Sequence, residues 1–161
     1  MNLNKLGIVT LSAVTLMSPL STTVLADDKS SNITYTIDST YEWTIHSNLS
    51  LNDGSTTGEV KVNSANIAAT DTLVITVKGN GTDNDFTMKD QNGTGSNAIS
   101  YTVKNGEDSV AKGGTVLTLT SSETAPKTTT LTFALASSNV KAGNYKGTVI
   151  YTATLNTAGT I

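Results

Sequence analysis

Between Ile33 and Leu155 apolar side chains recur at every second residue, and that spacing restricts the chain to β-structure. Ile33/Tyr35/Ile37 alternate with Thr34/Thr36, and Tyr41/Trp43/Ile45 alternate with Glu42/Thr44/His46. Leu73/Ile75/Val77, Ile99/Tyr101/Val103, Leu117/Leu119 and Leu131/Phe133/Leu135 follow. The last run is the longest, with Tyr145, Gly147, Val149, Tyr151, Ala153 and Leu155 on one face and Lys146, Thr148, Ile150, Thr152 and Thr154 on the other. A period of two sends successive side chains to opposite faces, so each run reads as a strand with one buried and one wet side. Thr fills the wet faces, where a β-branched side chain suits a pleated, half-exposed surface. No stretch after residue 26 carries a helical period.

Turn signals separate the runs: "NDG" at 52–54, "GNG" at 79–81, "NG" at 92–93 and 105–106, and "GG" at 113–114. Asn-Gly and Asp-Gly supply the positive φ angles that tight hairpins require. Short strands at this spacing point to a sandwich or barrel. The expected fold is all-β, an antiparallel immunoglobulin-like β-sandwich of eight or nine strands preceded by a cleaved signal peptide.

The boundaries follow from the ends. Lys5 is a basic start, Leu6 to Leu20 form an apolar run, and Val24 and Ala26 supply small residues before a cleavage point, so residues 1–26 read as a signal peptide. The apolar run is shorter than the ~20 residues a membrane span needs and ends in Pro19. Residues 27–32 form a polar tail, 33–155 the sandwich domain and 156–161 a C-terminal tail. The closing "YTATLNTAGTI" carries no LPxTG-like sorting motif, so retention at a surface is expected to be non-covalent.

Charge and residue usage exclude several classes of function. The net charge is −3 and all ten basic residues are Lys, which argues against nucleic acid or an anionic membrane as partner. There is no Cys, hence no disulfide, no thiol nucleophile and no lipid-anchoring site. A single His, His46, rules out His/Cys zinc sites. No Ser sits in a G-x-S-x-G elbow. His46 lies three residues from the lone Trp43, and strict alternation places Trp43 in the core and His46 on the opposite, solvated face, where its removal costs little. No catalytic residue is therefore assigned. The only metal candidates are Asp83 and Asp85 of "GNGTDNDF", as oxygen ligands for Ca²⁺, in a loop that lacks the closing Glu of an EF-hand.

Sugar binding usually calls for aromatic faces left over from the core. Tyr35, Tyr41, Trp43, Tyr101, Phe133, Tyr145 and Tyr151 all fall on apolar strand faces, and only Phe86 has a loop-like context, from which it can pair with Met88 as a further short strand. A carbohydrate-binding module would have to rely on loop Asn, Asp and Ser.

The stretches "YEWTIHSNLSLNDGSTTGEVKV", "DTLVITVKGNGTDNDFTM" and "AGNYKGTVIYTATL" resemble small secreted surface proteins of Gram-positive bacteria with immunoglobulin-like or adhesin-like β-sandwiches. The last is also similar to the terminal strand of WxL-type cell-wall-binding domains, with Trp43-Thr44-Ile45 close to a Trp-x-Leu motif and Tyr151-Thr152-Ala153 departing from it. The resemblance implies a non-catalytic, secreted cell-surface structural or adhesive protein, with a secreted carbohydrate-binding module as the alternative. The expected partners are a cell-wall or host glycan or protein, or other copies joined through edge strands. For the last of these, Ile33–Ile37 either forms the first strand of its own domain or pairs with the edge of a neighbour.

Overall fold

The computed structural model describes residues 31–52, 54–92 and 97–157. The expected signal peptide, most of the polar tail after it and the last four residues lie outside the described residues. Backbone contacts divide the chain into two units, Met1–Tyr35 and Thr36–Ile161, and the strands of the described residues belong to the second.

Among the described residues ten antiparallel strands form two sheets that share one core. The larger sheet runs β1 (Thr40–Ile45), β2 (Ser55–Asn66), β8 (Lys127–Leu135), β5 (Ala98–Asn105), β4 (Thr87–Asp90) and β9 (Tyr145–Lys146), with β6 (Asp108–Ser109) paired to β5. The smaller sheet runs β10 (Val149–Asn156), β3 (Thr72–Gly79) and β7 (Gly114–Thr120). Val60 and Val62 of β2, Leu73, Ile75 and Val77 of β3, Val103 of β5, Leu119 of β7 and Leu131 and Phe133 of β8 are buried to a few per cent or less. They alternate with exposed or half-buried neighbours, as inward and outward faces of a pleated strand must. Burying each such side chain contributes about 1.5–3 kcal/mol.

Polar side chains tie the sheets together at their margins. Asn105 of β5 donates through Nδ2 to the Val116 carbonyl of β7 at 2.9 Å, and its Oδ1 accepts from Thr129 Oγ1 of β8 at 2.7 Å. Lys127 Nζ donates to the Thr118 carbonyl at 2.8 Å and pairs with Glu123. Before β1, Ser39 Oγ donates to the buried Asp71 carboxylate at 2.7 Å while accepting the Ala68 amide at 2.9 Å.

Three sequence expectations change. Ile33–Ile37 forms no strand, and its three apolar side chains are 95%, 87% and 62% exposed. The ladder stops at Thr40 because its partner Asn66 is the last residue of β2, leaving no backbone on that ladder for upstream residues. The long run from Tyr145 is two strands in different sheets: Tyr145–Lys146 pairs with β4 and Val149–Asn156 with β3. Gly147 allows this crossing, since a Cβ there would lie 2.6 Å from the Thr87 carbonyl and 2.8 Å from Met88 Cγ. Thirdly, β10 extends through Asn156, which sequence assigns to the tail. Phe86 enters β4 from its N-terminal side and packs against Tyr101, with ring centroids 5.6 Å apart.

Turn chemistry matches the glycines at three sites, with φ of 83°, 61° and 75° at Gly54, Gly106 and Gly113. In "GNGTDND" the positive angles fall instead on Asp83 and Asn84, at 57° and 65°. Short polar side chains tolerate this region better than others.

Candidate functional site

A groove of about 820 Å³ opens at the end of the sandwich where β1, β8 and β10 meet. Its floor is the inner face of the large sheet that the three-stranded sheet leaves uncovered, with Phe133 and Leu135 from β8, Ile99 and Tyr101 from β5 and Met88 from β4. Its walls are the segment after β1, residues 140–148 including β9, and Val149 and Tyr151 at the start of β10. No carboxylate lines it among the described residues; its charged side chains are Lys141 and Lys146.

His46 stands at the mouth, and its position corrects the sequence reading. Its imidazole lies on the core side, edge-on to Phe133 with centroids 5.5 Å apart and to Tyr151 at 5.6 Å. Strict alternation fails here because β1 ends at Ile45. The His46 amide still donates to the Glu59 carbonyl at 2.8 Å, but the side chain swings inward over Gly58. A carbonyl only accepts, so the 2.6 Å contact from Nδ1 to the Ser47 carbonyl places the proton on Nδ1. Nε2 then accepts from the Tyr151 hydroxyl at 2.8 Å, which joins the large sheet's margin to β10. Trp43 is on the inward face as expected, opposite Val62, but it is half-buried at the edge of the core rather than in its centre.

The calcium candidates serve a turn. Asp85 pairs with Lys112 at 2.9 Å, and this hydrogen bond is the main reason the Lys112 ammonium titrates above its ordinary value. Asp83 lies inside the single helical turn Thr82–Asn84. The Asp85 carbonyl closes the loop on Gly79, where a Cβ would come within 2.0 Å of it. Among the described residues no group of three His, Cys, Asp or Glu side chains is placed to hold a metal.

Two tyrosines of the groove titrate high. Burial pushes the Tyr101 phenol up to about 12, and burial, with a smaller contribution from Tyr101, pushes Tyr151 higher still. In the unfolded chain both ionise near pH ~10. Their contribution to stability is therefore complete below that pH and is lost as pH rises through the folded-state values. Thermal melts should hold their midpoint up to about pH 9.5 and fall steeply between about pH 10 and 12, with phenolate absorbance appearing at the unfolding transition. The Tyr101 hydroxyl has no hydrogen-bond partner among the described residues although it is buried. Tyr101→Phe should accordingly leave neutral-pH stability unchanged or raise it, while flattening part of the alkaline loss. A large neutral-pH loss would show that the hydroxyl has a partner.

No helix among the described residues is long and apolar enough to cross a membrane. No protein-family model and no curated protein matches the chain. Among solved structures, it is similar to a chain described under "Chaperone-tip adhesin complex is vital for synergistic activation of CFA/I fimbriae biogenesis", at 16% identity with a TM-score of 0.46. The match covers 70% of this chain and 42% of that one, so this chain spans less than half of that neighbour's length.

Proposed function

We propose that this chain is a non-catalytic, secreted structural or adhesive protein of a Gram-positive cell surface, built on an immunoglobulin-like sandwich and working through binding alone. The observation that carries the reading is the state of its one histidine. His46 commits both ring nitrogens to a structural lock, and the groove beside it offers apolar side chains and amides with no carboxylate among the described residues. A proton-transfer site needs a group free to exchange its proton with substrate. A concave, largely apolar surface with few polar groups instead buries a partner.

A secreted carbohydrate-binding module is the second reading. Tyr145 with Asn48, Asn52 and Asn144 on the groove wall favours it, because an aromatic face among amides suits a sugar's apolar and hydroxyl surfaces. Antibody labelling of intact producing cells, before and after protease shaving, tests the first reading. Labelling that shaving removes supports it, and protein confined to the cytoplasm ends it. A glycan array run on the same protein separates the two, since a saturable hit abolished by Tyr145→Ala selects the sugar-binding module.

A further inference from the structure

We infer that Ile33–Ile37 of one molecule adds as a strand to the free edge of β10 in a second copy, joining copies head to tail. The inference rests on the binding role proposed above and supplies its partner, another copy of this chain.

The acceptor is defined by comparing sheet edges. β6 and β9 are two residues each, too short to template a strand. β1 loses register with β2 between Glu42 and Trp43, and β7 pairs with β3 through a break between Ile75 and Thr76. Such irregularities twist an edge and discourage further pairing. β10 pairs with β3 through eight consecutive residues without a break, from Val149↔Gly79 to Asn156↔Thr72. It also ends its sheet among the described residues, so its outer side presents a regular row of main-chain donors and acceptors.

Burial says that this flank is uncovered. Leu73, Ile75 and Val77 of β3 are buried to 1% or less, whereas their ladder partners Leu155, Ala153 and Tyr151 are only half-buried. Across the seam on the opposite sheet Ile45 is 47% exposed, although it pairs with the fully buried Val60. Residues on the inward face of both margins are thus left wet along the side that a further strand beside β10 would cover. At the lower end of that strand Val149 and Tyr151 open into the groove.

The donor has the complementary pattern. Ile33, Tyr35 and Ile37 repeat at the strand period, and three apolar side chains at this spacing can lie along three of the four half-buried inward residues of β10, Val149, Tyr151, Ala153 and Leu155. The segment forms no ladder among the described residues and its apolar side chains are exposed. Main-chain hydrogen bonds to a sheet edge, with alternate side chains set into the core, are the recurrent mode by which an extended segment adds to a sheet. Donor and acceptor are different surfaces of one molecule, so each copy keeps one of each free and the contact propagates.

The test uses the full chain expressed in a secreting bacterium, its mass followed by sedimentation over a range of concentrations. The wild-type mass should rise with concentration beyond that of a dimer. The double variant Ile33→Asp/Tyr35→Asp should stay monomeric at every concentration and melt at the temperature of wild-type protein diluted until it too is monomeric, because those side chains are 95% and 87% exposed in their own chain. Added to that variant, a synthetic "SSNITYTIDS" peptide should raise the melting temperature and slow hydrogen exchange at β10 amides, and a peptide carrying the same two Asp should do neither. A wild-type protein that stays monomeric, a double variant that melts several degrees below wild-type protein diluted to monomer, or exchange protection on β1 or β7 instead of β10 each overturns the inference. A monomer that still labels on the cell surface removes the inference and leaves the proposed function standing, whereas loss of surface labelling removes that function.

Discussion

Phe133→Ala will lower stability by about 3–5 kcal/mol, the range for emptying a large aromatic core site, whereas Trp43→Ala will cost about 1–2 kcal/mol, in keeping with a side chain that is only half-buried. Phe133 is 2% exposed and sits where the interior is most aromatic, with Tyr101 at 6.4 Å and His46 at 5.5 Å between ring centroids. Its strand is flanked by β2 and β5, so neither neighbour has room to collapse into the vacancy. Trp43 lies on an edge strand and is covered by the core on one side only. Urea unfolding of both variants checks the order. A Trp43→Ala loss equal to that of Phe133→Ala would mean that the β1 margin is as tightly covered as the centre.

That ranking differs from what the sequence suggests, and the reason lies in what alternation reports. A period of two gives the face of a residue but not the position of its strand within the sheet. Trp43 and Phe133 both read as inward-facing, and both are, yet one is on an edge and the other is central. The same limit explains Ser55–Asn66, the longest strand. It contributes only Val60 and Val62 as strongly apolar inward residues, and Gly58 occupies a third inward position, so its pattern is faint although those three residues are buried. Tyr145–Leu155 errs in the opposite direction, because an unbroken alternation conceals a change of sheet at Gly147 that only the close backbone approach to Thr87 reveals. Ile33–Ile37 is legible as strand-forming but not as to its partner, which depends on where a ladder has backbone to spare. The antiparallel all-β class and the glycine turns at 54, 106 and 113 were readable because they rest on local dihedral and face preferences. The groove was not, since it exists only where two sheets of unequal width meet.

His46 is the place where local reading fails most instructively, and Gly58→Ala should expose why, destabilising the protein by about 2–3 kcal/mol as an overpacking change. Gly58 is buried on the inward face of β2, and a Cβ built there would lie 2.4 Å from His46 Cδ2 and 2.7 Å from its Cγ. No other atoms come as near, so the absent side chain is the space that the imidazole fills. Cγ is the root of the ring and cannot move away without turning the whole imidazole. That rotation pulls Nε2 from the Tyr151 hydroxyl and leaves both groups short of a partner, at a cost of about 1–3 kcal/mol. His46→Ala removes the same hydrogen bond and the edge contact with Phe133, and should itself cost about 1–2 kcal/mol, above the range of a solvated surface residue. The two substitutions meet at one contact and should not add. In the His46→Ala background the methyl introduced on β2 enters vacated space, and Gly58→Ala should become nearly neutral. A double-mutant cycle by urea unfolding measures this directly. Additive losses would mean that Gly58 is required by its own backbone, and that the inward turn of His46 is incidental to how β1 is held against β10.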